Sequence, residues 1–312
     1  MRTTRGNCCG GIDAPEGRPH LGCSAYLGCG ALSLNILVLA RFVPEALVQG
    51  GARRFMYCLA DTLKELGHMV TTAGFDEACH LLLWGDRTYD VILCCQPEMM
   101  VVADNLHGKK VFISHGCIPD ERLRLGADRY VSISEEVRKW NLEGGVDSYV
   151  IGQPVKIQKQ ILPNKDLKKI LVLRHYPGTK DLFSFLSEKY DLRYSDPCIP
   201  IEEQIAWADL CITLGRGAIE AMAQGKLVLV ADNRPYNGAI GDGYLSWGNI
   251  AEAAKCNFSG RRYRFPITPE WVESEITKYN LEDSYFLHQY TQTHHEARKV
   301  ANDYLQLIRG NT

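Results

Sequence analysis

Short apolar runs recur along the chain, each followed by a stretch whose apolar residues fall at helical spacing. The first run, Leu34–Ala40 (LNILVLA), has too little polar content for a strand with one wet face, so it predicts a parallel strand buried on both sides. An amphipathic helix is expected over Arg53–Leu66, stopped by Gly67, and the next strand begins at His68-Met69-Val70-Thr71-Thr72. Further strands are predicted at Asp90–Cys95, Lys110–Ser114 and Tyr130–Ser134, with helical stretches between them and Ser134 placed to cap the helix after it. Regular alternation of this kind predicts a doubly wound parallel sheet.

The pattern then restarts. Pro154–Asp166 is polar and bounded by prolines, as a linker would be, and Lys169–Leu173 (KILVL) repeats the character of Ile36–Leu39. A helix at Asp181–Lys189, a strand at Leu192–Ser195, a helix at Ile201–Ala208 and strands at Asp209–Leu214 and Leu227–Ala231 complete a second set. The expected fold class is α/β: two Rossmann-like parallel-sheet domains, 34–155 and 156–280, facing a cleft at the carboxyl ends of their strands. Segment 281–312 carries a helical stripe of Tyr285, Phe286, Tyr290, Val300, Tyr304, Leu305 and Ile308. Segment 1–33 is rich in Gly, Cys and Pro without a period and is expected to be a poorly ordered extension.

Composition narrows the classes. A formal charge of -2 over 312 residues gives no general electrostatic case for nucleic acid as a partner, although Gly260-Arg261-Arg262-Tyr263-Arg264 is a local basic cluster. No run reaches the roughly 18 apolar residues of a membrane span; peripheral membrane contact stays compatible with the sequence. Twelve cysteines are scattered through apolar runs, Cys94, Cys95, Cys117 and Cys211 among them, which suits small buried hydrophobes in a reduced, cytoplasmic setting. Their spacing gives no pair of metal knuckles, so no metal or other cofactor is expected.

The most informative stretch is Leu214–Asp232, LGRGAIEAMAQGKLVLVAD, read as a glycine-bearing loop, a helix over Ala218–Gln224 and a buried strand. Gly215 and Gly217 allow close approach of a ligand to the backbone. The first helical N–H groups favour an anion, and Glu220 sits one turn in, where its carboxylate can accept hydrogen bonds from a ribose diol. A nucleotide diphosphate fits all three, and Glu220→Ala is expected to weaken its binding more than folding.

The run EAMAQGKLVLVAD resembles the donor-nucleotide segment of GT-B glycosyltransferases, those of family 4 in particular. The first half is similar to that family in a strand, a proline-containing loop, the pair Gly50-Gly51, and a helix ending in Leu63-Lys64-Glu65-Leu66-Gly67-His68. That loop also argues against a dehydrogenase, whose G-x-G-x-x-G would follow the first strand directly. The resemblance covers roughly residue 34 to the end. It implies a transferase moving a sugar from a nucleotide-diphosphate sugar, as co-substrate, to a glycan, lipid-linked or other hydroxyl acceptor, with retention, without a metal, and with a C-terminal helix crossing back to the first domain.

It also implies site residues. Arg174 and Lys180, in LVLRHYPGTKD, match the arginine and lysine that neutralise the departing diphosphate. Gly50, Gly51, Gly215, Arg216, Gly217, Ala218 and Glu220 would bind the donor, Glu220 through its ribose, and His115 at the end of a first-domain strand would hydrogen-bond the transferred sugar or the acceptor. The chain departs from the family at Ile212, where a second glutamate near the sugar is usual, with Asp242 available as a substitute. Asn233–Ile250, with its four glycines, is expected as a mobile loop beside the site. Three alternatives stay open: a sugar-nucleotide epimerase, a non-catalytic nucleotide-sugar-binding protein, and, as a special case of the transferase, a DNA-modifying glycosyltransferase.

Overall fold

The computed structural model describes residues 33–40, 50–84, 88–173 and 178–310. The first half is built on β1 (Asn35–Leu39), β2 (Met69–Ala73), β3 (Thr88–Cys94), β4 (His107–Ser114), β5 (Arg129–Ser132) and β6 (Tyr149–Val150), ordered β2-β1-β3-β4-β5-β6. All its pairs are parallel, with Ile36 opposite both Val70 and Val91. Side chains alternate across a strand, and the sequence supplies apolar residues to both faces. Ile36, Val38, Val91, Leu93, Val111 and Ile113 join one core with α1 (Gly51–Glu65), while Leu37, Leu39, Ile92, Cys94 and Phe112 join another with α2 (Phe75–Trp84) and α3 (Pro97–Ala103). Burial on both faces is why these strands read as unbroken apolar runs. As expected, Ser134 caps α4 (Glu135–Glu143), its Oγ accepting from Val137 N.

The second half repeats the plan with β7 (Lys169–Val172), β8 (Asp191–Tyr194), β9 (Leu210–Thr213) and β10 (Leu227–Asp232), in parallel order β10-β9-β7-β8. Between them lie α5 (Thr179–Phe183), a 3-10 helix at Ser184–Glu188, α6 (Ile201–Trp207) and α7 (Arg216–Ala223). The helix expected over Asp181–Lys189 is therefore split between an α turn and a 3-10 turn. Asp209 anchors the lower edge: its carboxylate accepts from the backbone N–H groups of Asn164, Lys168 and Lys169 and from the Asn164 amide.

Two expectations are corrected. The glycine-rich stretch after Asp232 is not a mobile loop: it forms β11 (Ile240–Tyr244), antiparallel to β10, with β12 (Phe265–Pro266) beyond it. Gly241 admits the Trp271 ring, and Gly243, at φ +89°, lies against the Glu275 carboxylate, so these glycines serve packing. The second correction is the C-terminal stripe, which is two helices. After α8 (Ile250–Lys255) and α9 (Pro269–Ile276), α10 (Leu281–His295) packs on α7 and places Leu287 in the core of the second half, with Ile170, Ile212 and Leu229. Glu296 interrupts the helix, and α11 (Ala297–Arg309) returns to the first half.

The crossing back is strongly held. Val300, Ala301, Tyr304, Leu305, Leu307 and Ile308 are buried in the core shared with α1. At about 1.5–3 kcal/mol for each large apolar side chain, that face supplies what a lone 13-residue helix lacks. The segment expected as a linker is likewise strapped down. Val155 pairs with Glu296 in a parallel bridge, Val155 N donating to His295 O and Ala297 N to Val155 O. Farther along, Ile161 N donates to Gln224 O. The chain thus passes between the halves twice, through two segments bonded side by side.

Candidate functional site

The carboxyl end of β9 runs into Gly215, whose φ of +54° and ψ of -128° suit a residue without a Cβ, and α7 begins at once. Its first turn is tight: Gly217 N donates to Leu214 O and Ala218 N to Gly215 O. Those two donors, expected to face an anion, are engaged by the backbone itself. Gly217 leaves room for the Thr213 hydroxyl rather than for a ligand, and Ala218 lies in the core of the second half. Ile212 is also a core residue of β9.

Glu220, one turn into α7, is the centre of the arrangement. It is only 7% exposed and is paired with two guanidiniums. Arg216 Nε lies 2.7 Å from Oε1, and Arg54 NH1 lies 2.9 Å from Oε2. Arg216 also donates through NH1 to Pro154 O, at 2.9 Å, on the crossing segment. Arg54 comes from the first half, one turn into α1, and its NH2 reaches Glu202 Oε1 on α6 at 2.7 Å. A network of two arginines and two carboxylates therefore joins α1 to α6 and α7.

The start of α1 closes on the same place. Gly50, at φ +112°, is its N-cap, and a Cβ on Gly51 would sit 3.4 Å from the Arg216 Cβ. A groove of about 290 Å³ runs beside the network, with Arg54, Tyr57, Gln158, Glu202, Glu220 and Gln224 along its walls. Burial pushes the Cys58 thiol up there, against the opposing influence of Arg216.

His115 stands near Arg216 from the first half, at the end of β4. Its ring meets Phe55 edge-on at 4.6 Å, and its Nε2 is buried without a protein partner. Burial, reinforced by the Arg216 charge, lowers its pKa to about 3, so the imidazole is neutral near pH 7. A neutral ring can donate or accept one hydrogen bond but holds no charge to stabilise a leaving group.

The remaining candidates are separate. Lys180, in the first turn of α5, is exposed, its Nζ 5.8 Å from the centroid of the Tyr194 ring. Arg174 lies outside the described residues. Asp242 accepts from Gly260 N and Tyr263 N, at 3.0 and 2.9 Å, so its carboxylate braces a turn instead of facing a sugar. In the basic cluster, Arg261 makes a bidentate pair with Glu136 of the first half, and Arg262 pairs with Glu252. Two of its arginines are thus committed within the chain.

Spacing alone did not mark Arg54 or Glu202. The one available signal was an arginine a turn after Gly50-Gly51, which means nothing until α1 is set against α7. Among the described residues no group of three or more His, Cys, Asp or Glu is placed to hold a metal ion, and no helix is long and apolar enough to cross a membrane.

Neither a family profile nor a curated protein sequence matches the chain. Solved structures do. AviGT4, a glycosyltransferase involved in avilamycin A biosynthesis, superposes with a TM-score of 0.57 over 88% of this chain and 97% of its own, at 15% identity. The fold is GT-B. An alpha-glucosyltransferase in complex with UDP and a 13-mer DNA gives 0.56, over 89% of this chain and all of its own at 11% identity. CalG4, the calicheamicin glycosyltransferase, gives 0.50 over 90% and 99% at 12% identity. At such identities the likeness establishes the GT-B architecture and leaves chemistry to the residues.

Proposed function

We propose that this GT-B chain is a glycosyltransferase of the family 4 type. The bond from the donor sugar's anomeric carbon to the diphosphate breaks, a bond from an acceptor hydroxyl oxygen forms, and the hydroxyl proton leaves with the diphosphate or to solvent. The observation that carries the reading is Glu220: a carboxylate one turn into α7, beside a groove at the junction of the two halves. Glu220 receives the ribose, Gly50, Gly51, Gly215 and Arg216 shape the wall around it, and Arg174 and Lys180 neutralise the departing diphosphate. Positioning and charge stabilisation supply the rate.

His115 contributes as a neutral imidazole. Its buried, unpartnered Nε2 is the kind of group that a sugar or acceptor hydroxyl satisfies. Retention and independence of a metal are carried over from the resemblance. With Ile212 in the core, recognition of the sugar falls to residues other than the usual glutamate.

Incubation with a panel of nucleotide sugars and simple acceptors tests the reading. Release of nucleoside diphosphate with a glycosylated product is expected. An altered sugar without release would mean epimerisation, and binding without either would mean a non-catalytic protein. The DNA-bound neighbour recommends duplex DNA as one acceptor in the panel, scored at low salt, where phosphate contacts bind most strongly.

A further inference from the structure

Arg54 is unlike the other charged residues of α1, because it forks between two carboxylates of the opposite half. We infer that Arg54 is a positioning residue for the donor ribose: it aims Glu220, and it does so only when the two halves are together. The inference rests on the assignment of Glu220 to the ribose.

A carboxylate has about four lone-pair sites on its two oxygens. In Glu220, Arg216 Nε donates to Oε1 at 2.7 Å, and the Arg54 guanidinium forms an ion pair with Oε2 at 2.9 Å. Each oxygen keeps acceptor capacity, the complement needed by the two hydroxyls of a cis diol. The two guanidiniums arrive from different elements, so together they fix the plane of the carboxylate, which a single partner leaves free to rotate. Arg216 is itself held by Pro154 O, and Arg54 by Glu202 on α6. Each guanidinium therefore has a second anchor. Planar, forked donors suit this duty, whereas an ammonium would supply charge without direction.

The origin of Arg54 has a further effect. Glu220, Arg216 and Glu202 all belong to the second half, and the first half contributes α1. Separation of the halves withdraws Arg54 and leaves Glu220 aimed by one partner only. Recognition of the ribose is then tied to closure, with no contact between Arg54 and the nucleotide required.

The experiment compares nucleoside diphosphates with their 2′-deoxy counterparts. Binding of UDP, GDP, ADP and CDP, and of the deoxy forms of those that bind, is measured by calorimetry for the wild type, Arg54→Ala, Arg54→Gln and Arg54→Lys. The wild type is expected to prefer the ribonucleotide at least tenfold. Arg54→Ala and Arg54→Gln should reduce that preference at least fivefold, with Arg54→Lys intermediate and Glu202→Gln weakening it in the same direction. The glutamine keeps the helical stem should the alanine protein fold poorly. An arginine that merely stabilised the fold would shift the melting temperature and leave the ribo-to-deoxy ratio unchanged, which would overturn the inference while sparing the nucleotide site. Tighter binding by Arg54→Ala would overturn it too, since Arg54 would then be a competitor of the ribose. A wild type that binds none of the nucleotides would overturn the site assignment itself.

Discussion

Replacing Glu220 with alanine should cost stability as well as binding, and the amount can be worked from the contacts. The substitution deprives Arg216 Nε of its acceptor in a position where both side chains are 8% exposed. Breaking a buried pair by removing one partner costs about 3–5 kcal/mol. Two features moderate this. Arg216 keeps Pro154 O, and Arg54, roughly a quarter exposed, keeps Glu202, so its loss counts as a surface pair of about 0.5 kcal/mol. A net loss of about 3 kcal/mol follows, equivalent to a fall in melting temperature on the order of 6–12 °C for a domain of this size. Glu220→Gln retains one acceptor oxygen and should lose about 1–2 kcal/mol. Urea titration beside a thermal melt measures both, with an unchanged slope required for the comparison. The double variant Arg216→Met/Glu220→Leu, which removes the pair instead of halving it, should recover to within about 1 kcal/mol of the wild type. A folded Glu220→Ala protein within about 0.5 kcal/mol of the wild type would refute the buried network.

Three further outcomes are expected. Lys180→Ala should lower turnover at saturating donor by roughly tenfold to a thousandfold, with a melt within about 0.5 kcal/mol of the wild type, because Lys180 is exposed; normal turnover would remove it from the diphosphate. Burial lowers the pKa of His295 to about 4 from an ordinary 6.5, as it lowers that of His115. The unfolded chain therefore takes up protons that the folded one refuses, and stability that is complete above pH 6.5 declines as pH falls toward 4. The slope is about 1.4 kcal/mol per pH unit for each such histidine, and His295→Asn should flatten it in a series of melts. Arg261→Ala and Glu136→Ala remove the bidentate pair between the halves, and a double-mutant cycle should return a coupling of about 1–2 kcal/mol that weakens only modestly in salt, because both groups are mostly buried. A coupling of zero would mean that the pair is not formed in solution.

The parts of this fold visible in the sequence are those governed by local pattern. Ile36–Leu39 and Leu227–Ala231 announce themselves because both faces of each strand are buried, and Ser134 because a cap is a local event. β11 escaped notice for the converse reason. Gly-Ala-Ile-Gly-Asp-Gly-Tyr has the composition of a loop, and it becomes a strand only because β10 offers an edge and Trp271 needs the space above Gly241. The interruption at Glu296 is set by the pairing of Val155 with the returning chain, 141 positions away in sequence, which no helical periodicity encodes. At the site, Glu220 and Gly215 were legible from the strand–loop–helix pattern. That Glu220 would be buried between two arginines was not, since one comes from its own helix and the other from the opposite half. The expectation that its loss would weaken binding more than folding took no account of this burial.

The position of α11 in the first core bears on the order in which the protein is made. Tyr304, Leu305 and Ile308 complete the packing around α1, yet they follow the whole of the second half along the chain. The half that is synthesised first therefore stays without one wall of its core until the second half has been made, while the second half has its sheet and α10 earlier. Vectorial synthesis, which usually lets N-terminal domains fold ahead of those behind them, is reversed here: the second half is the one able to mature on the emerging chain. A nascent chain halted before Ala297 should accordingly present α1 and its neighbours with an exposed apolar face, the kind of surface that chaperones hold.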